Sequence, residues 1–248
     1  MGGDDFESAL SQIRSLIDSA VSAHRDRQSR SAGILEVDTG RDRLVRAFGQ
    51  QVAAARRTVD IAVPEWNSRS GELFSGLRRM IPEGVRVRLL SAPAAIDDDL
   101  VLRYRKGALG AEIRIAGNAL QGFALVDGRN AVVCSGPPPD GRFFLVAAGS
   151  VVRVLDTLFG SAWQEALPLG DHLRFSRWAG TEPGRQVLLQ LCSGSTDEVA
   201  ARALSMSVRT YRRQVAELMR LLGASSRFQA GVQACRLGML SAGPADRG

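Results

Sequence analysis

With 248 residues, 45% of them hydrophobic, the chain is long enough to bury a sizeable core and reads as one large domain followed by a small one. Its apolar runs are short and broken by charged residues, and its start is acidic at Asp4, Asp5 and Glu7, which argues against a membrane span or secretory leader and for a cytoplasmic location. The formal charge of +6 is concentrated: from Asp171 onward 11 arginines face 6 acids, against 21 basic and 20 acidic residues before it, so an anionic partner is expected for the C-terminal part, nucleic acid first.

Phe6, Leu10, Ile13, Ile17, Ala20 and His24 form a heptad-like stripe on an N-terminal helix within residues 1–30, which packs either on its own domain or on its copy in a dimer. From residue 41 the rhythm is βαβ: helices over 44–57, 73–80 and 97–109 alternate with strands over 59–63, 85–90 and 112–116. Strands over 123–126, 131–134 and 143–147 follow, separated by Asp127-Gly128 and a turn cluster at 136–141, which predicts antiparallel neighbours and hence a mixed sheet. A helix over 151–166 closes this α/β domain (41–166). Residues 167–183, with Pro168, Gly170, Gly180 and Pro183, read as a linker.

Beyond the linker the pattern is all-α, with four helices over 185–192, 196–204, 207–222 and 226–237. Thr196 and Ser207 are placed to cap the second and third, and Gly223 suits a left-handed C-cap. A short helix, a three-residue turn and a longer arginine-bearing helix is the arrangement that presents a recognition helix to the DNA major groove.

The stretch Gln186 to Gly238 resembles the DNA-binding domain of the LuxR family, through Val199-Ala200-Ala201-Arg202, Met206-Ser207-Val208-Arg209-Thr210, Gln214-Val215, Leu222-Gly223 and Ser226-Arg227-Phe228-Gln229-Ala230. The resemblance implies a four-helix helix-turn-helix domain over 184–240. It implies contacts to double-stranded DNA from Arg209, Thr210, Arg212, Arg213 and Ala216, with Ser207 near phosphate. Arginine can bind guanine O6 and N7 together, so these residue types suit base reading; a solvated surface charge is the alternative for each. Arg220 and Arg227 either flank the duplex backbone or form surface ion pairs. Val208, Tyr211 and Gln214 depart from the family's commoner Glu, Val and His, and Tyr211 is either a core substitution or a phosphate donor.

Residues 41–166 resemble a phospholipase D-like domain of the kind that precedes helix-turn-helix modules in TrmB-like regulators, through Gly84-Val85-Arg86-Val87-Arg88, Gly110-Ala111-Glu112-Ile113-Arg114 and Leu125-Val126-Asp127-Gly128-Arg129. In the catalytic family a His and a Lys precede an Asp; counted back from Asp127, those places hold Leu120 and Gly122, which can neither attack phosphorus nor clamp its oxygens. The only histidines, His24 and His172, lie outside this domain. The domain is therefore expected to be catalytically inactive and the chain not an enzyme, with a nucleic-acid phosphodiesterase of unrecognised site or a protein-interaction module as alternatives.

No metal or cofactor is expected. Asp97-Asp98-Asp99 point in different directions on a helix and read as a solvated first turn, and 136–141 lacks the Lys and helix of a phosphate loop. Cys134, Cys192 and Cys235 fit neither a disulfide framework nor zinc spacing and read as buried thiols. Trp66, Tyr104, Phe123, Phe143 and Trp163 either line a pocket or pack the core. The expected whole is a homodimeric, sequence-specific DNA-binding regulator whose α/β domain senses a small-molecule or protein effector, mediates oligomerisation, or does both.

Overall fold

The computed structural model describes residues 33–37, 48–64, 68–117, 121–135 and 142–239. The predicted stripe from Phe6 to His24, together with Trp66 and the turn cluster at 136–141, lies outside them. Strands β1 (Ile34–Val37), β2 (Thr58–Val63), β3 (Arg86–Ser91), β4 (Glu112–Ile115), β5 (Phe123–Val126), β6 (Asn130–Ser135), β7 (Arg142–Val146) and β8 (Leu167–Pro168) form one sheet in the order β1-β7-β6-β5-β2-β3-β4-β8. β2, β3 and β4 run parallel and the other neighbours antiparallel, so the sheet is mixed.

Alternation along the strands supplies both faces of the sheet. Val59, Ile61, Val87, Leu89, Ile113 and Ile115 point one way, into a core with Phe48 and Val52 of α1 (residues 48–53), Phe74 and Leu77 of α2 (Ser68–Arg78) and Leu100 of α3 (Asp98–Arg105). Ala62, Leu90, Leu125, Val133 and Phe144 point the other way, under Val152, Leu155, Phe159 and Trp163 of α4 (Gly149–Glu165). On that second face Arg88 grips the buried Asp60 at 2.6 and 2.7 Å and lies over the Phe159 and Trp163 rings, 5.0 and 5.4 Å from their centroids. Burial pushes the Asp60 carboxyl up, and the Arg88 guanidinium opposes that shift.

Asp127, Gly128 and Arg129 form a three-residue hairpin loop between β5 and β6, with Asp127 and Gly128 in the left-handed region at φ 53° and 64°. The Asp127 carboxylate accepts the backbone N–H groups of Arg56, Arg57 and Thr58 at 2.9, 2.8 and 2.9 Å, tying the entry of β2 to the hairpin. Burial pushes this carboxyl up, but the three donors outweigh that and hold it below its ordinary value.

Residues 167–183, predicted as a linker, are ordered structure. Leu167 and Pro168 form the edge strand β8, and Leu169–Ala179 is a helix, α5. Three of the four residues read as breakers stand at its boundaries, Pro168 at the N-cap, Gly180 at the C-cap and Pro183 in the first turn of the next helix, where a missing N–H costs nothing, while Gly170 lies inside it. The helices then continue as α6 (Glu182–Cys192), α7 (Asp197–Ala203), α8 (Val208–Leu221) and α9 (Arg227–Arg236). Leu188, Leu218, Leu221, Leu222, Ala230, Ala234 and Leu237 join the same core as the sheet, through Leu169 and Phe175 of α5. A separate small core of Val187, Ala200, Ala201, Tyr211 and Val215 holds α6, α7 and α8 together.

The cysteines correct the sequence reading of buried thiols: Cys192 and Cys235 are exposed and Cys134 is half-buried, and none of the three is in a disulfide. Asp97 caps α3 by accepting the Leu100 N–H at 2.8 Å, and Asp98 and Asp99 are exposed in its first turn, the solvated arrangement predicted. Phe123 and Trp163 serve the core beneath α4, Phe143 packs half-buried against the other core, and Tyr104 is exposed.

Candidate nucleic-acid interface

Each helix of the C-terminal unit begins on a hydroxyl cap. Thr181, Thr196, Ser207 and Ser226 accept the N–H groups of Gly184, Val199, Thr210 and Gln229, giving each helix a defined start. Between α7 and α8 the chain turns through Ser205 at φ 53°, and Met206 N–H closes the turn on the Ala201 carbonyl at 2.9 Å. The cap places Ser207 at the start of α8, where its Oγ also lies 2.9 Å from the Thr210 hydroxyl.

Along α8 the buried stripe is Tyr211, Val215, Leu218 and Leu221, which settles Tyr211 as a core residue, 1% exposed. The helical period brings Arg209, Arg213, Ala216 and Arg220 to the opposite, exposed face. Arg209 and Arg213 have no ion-pair partner among the described residues. Arg220 is engaged by Glu217 at 2.6 and 2.9 Å, the ion-pair alternative left open by the sequence. Its guanidinium is the main reason that the Glu217 carboxyl sits below its ordinary value.

Arg212, expected beside Arg213, is turned instead toward α7. Its Nε donates to Asp197 Oδ2 at 2.7 Å and its Nη2 lies 3.4 Å from Glu198 Oε1. Arg212 lies at the edge of the exposed face that carries Arg209, Arg213 and Ala216, and its guanidinium is drawn from there to the acids of α7. Arg227 of α9 also grips both oxygens of Asp197, its Nη2 3.0 Å from Oδ2. The Arg227 and Arg212 guanidiniums hold the Asp197 carboxyl down to about 2. Sequence reasoning passed over Asp197. The available signal was an acid at the first position of a helix in a strongly basic segment.

Among the described residues no helix is long and apolar enough to cross a membrane, and no group of three or more His, Cys, Asp or Glu is placed to hold a metal ion.

The molecule is thus a mixed α/β domain joined through an ordered helix to a capped four-helix unit. No family model matches the chain. Over 53 residues, 21% of its length, it is 49% identical to the Bialaphos biosynthetic pathway regulatory protein of Streptomyces hygroscopicus, and the match spans 21% of that relative. Among solved structures it is similar to Nuc, a phospholipase D family member from Salmonella typhimurium, at TM-score 0.45 and 8% identity over 54% of this chain and 96% of that one. It is also similar to TrmBL2, an archaeal chromatin protein, at TM-score 0.40 and 11% identity over 66% of this chain and 65% of that one. A third is polyphosphate kinase from Porphyromonas gingivalis, at TM-score 0.41 and 16% identity over 55% of this chain and 28% of that one.

These neighbours correct one expectation. The sequence reads as not an enzyme because Leu120 and Gly122 stand where a phospholipase D would carry His and Lys; with a phospholipase D family member and a polyphosphate kinase among the structures the chain is similar to, that expectation is not retained.

Proposed function

We propose that the chain is a sequence-specific DNA-binding transcriptional regulator. In this reading residues 184–240 form a LuxR-type helix-turn-helix module, and the N-terminal half of α8 enters the major groove. The observation that carries the reading is the exposed face of α8: Arg209 and Arg213 stand one turn apart, unpaired among the described residues, with the small Ala216 beyond them, on a helix anchored by Tyr211 and Val215. Two guanidiniums in that geometry suit guanine edges, while Ser207 and Thr210 at the helix start suit the adjacent phosphate. The relative from Streptomyces hygroscopicus is named as a regulatory protein, which supports a regulatory role.

One helix-turn-helix reads half a site, so the chain acts as a homodimer, and the α/β domain over 41–166 provides dimerisation, an effector site, or both. Its place of action is the cytoplasm, with the DNA. Selection of bound sequences from a randomised duplex pool by the full-length protein tests the reading. Enrichment of a recurring motif, arranged as two half-sites about 10–10.5 base pairs apart or a multiple of that spacing, is the expected result. A pool that stays random after repeated rounds overturns it.

A further inference from the structure

We propose that Asp197 is a positioning residue that decides which arginines reach the duplex: by holding Arg212 and Arg227 it keeps two cations off the phosphates and leaves sequence reading to Arg209 and Arg213. The inference rests on the DNA-binding reading above.

Asp197 is the first residue of α7 and is 9% exposed, while its neighbour Glu198 stands in solvent. Three guanidinium N–H groups converge on its two oxygens, from Arg212 Nε and from Arg227 Nη1 and Nη2. One carboxylate thus ties α7 to the recognition helix and to α9. Glu198 offers Arg212 a single contact at 3.4 Å between two exposed groups, which screening renders weak. Arg212 and Arg227 nevertheless keep 60% and 47% of their side-chain surface in solvent, so what restrains each guanidinium is the carboxylate rather than packing.

Arginine is long and flexible, and phosphates are the nearest alternative partner once DNA is bound. A released Arg212 would join Arg209 and Arg213 on α8, and a released Arg227 would add a cation from α9. Each new phosphate contact displaces condensed counterions, which steepens salt dependence without adding base discrimination. Asp197 thereby trades affinity for selectivity.

The test uses full-length protein, a selected duplex and a scrambled one of equal length, titrated by fluorescence anisotropy over a range of salt concentrations. Asp197→Asn is expected to bind the scrambled duplex several-fold more tightly at low salt and to steepen the slope of log affinity against log salt by about 0.9 for each released arginine that finds a phosphate. Its preference for the selected duplex is expected to fall, while Asp197→Glu, which keeps the carboxylate, restores the original slope. An unchanged slope and preference in folded Asp197→Asn overturns the proposal. So does weaker binding to both duplexes at unchanged slope, the mark of a brace without a steering role. Should the single variant not fold, Asp197→Asn/Arg227→Gln removes one acid and one base together; a slope steeper by about 0.9 supports the proposal and the original slope overturns it. Wild-type protein that binds neither duplex defeats the DNA-binding reading itself, whereas selective wild-type binding with an unresponsive Asp197 variant defeats this inference alone.

Discussion

Tyr211 shows how far a single residue carries. Its ring fills the space between α6, α7 and α8, against Val187, Ala200, Ala201 and Val215. Tyr211→Ala is expected to cost about 3–5 kcal/mol in chemical denaturation, whereas Tyr211→Phe stays within about 1 kcal/mol. His172 is the other telling residue, 4% exposed on α5, with its Nε2 3.2 Å from the Ser176 hydroxyl. Burial pushes its imidazole down to about 4 from an ordinary 6.5. Below pH 6.5 the unfolded chain takes up a proton that the folded chain refuses. Stability fully present above 6.5 therefore declines as pH falls toward 4, by up to about 1.4 kcal/mol per pH unit. Urea titrations at pH 7.5 and 5 check this: the wild type is expected to weaken at the lower pH and His172→Leu to weaken less, and equal pH responses contradict it. Single residues were unevenly legible in the sequence. Periodicity puts Arg209, Arg212, Arg213 and Ala216 on one face, but the acid that holds Arg212 lies 15 residues away on another helix, and no local pattern names it.

At the scale of elements, hydrophobic period and caps located most of what was found. Thr196 and Ser207 cap α7 and α8 as their positions predicted, and Gly223 adopts φ 62° after α8. The failures have a shared physical cause. Helix α5 reads as a linker in the sequence because breakers mark the ends of elements as well as their absence, and Gly170 stands inside its first turn beside the Tyr104 hydroxyl. The edge strands β1 and β8 are 4 and 2 residues long, too short for alternation to register. The α5–α6 corner depends on Gly184, where a Cβ would lie 2.1 Å from the Trp178 carbonyl oxygen. Gly184→Ala is expected to destabilise the fold by about 1–3 kcal/mol, and a variant as stable as the wild type contradicts the close approach.

For the whole molecule, the shared core has a thermodynamic consequence. Leu218, Leu221, Leu222 and Ala234 pack in one continuous cluster with the sheet, and Arg236 of α9 reaches Glu165 of α4 at 3.3 Å. The α/β domain and the helical unit are therefore expected to unfold in one cooperative transition; two separated transitions in calorimetry would show the union to be weak. Gly117 sits at this seam, where a Cβ would meet the Arg236 Cβ at 2.5 Å and its carbonyl oxygen at 2.9 Å. Gly117→Ala is expected to loosen the seam, seen as faster amide exchange in α9. The proposed recognition residues Arg209 and Arg213 are exposed toward the other end of α8. The direct measurement is titration of the selected and scrambled duplexes at 50 and 200 mM salt with wild-type protein and Arg209→Ala/Arg213→Ala, both confirmed folded. Loss of the preference for the selected over the scrambled duplex in the variant is the outcome this face requires; wild-type affinity and selectivity in the variant would place DNA recognition elsewhere.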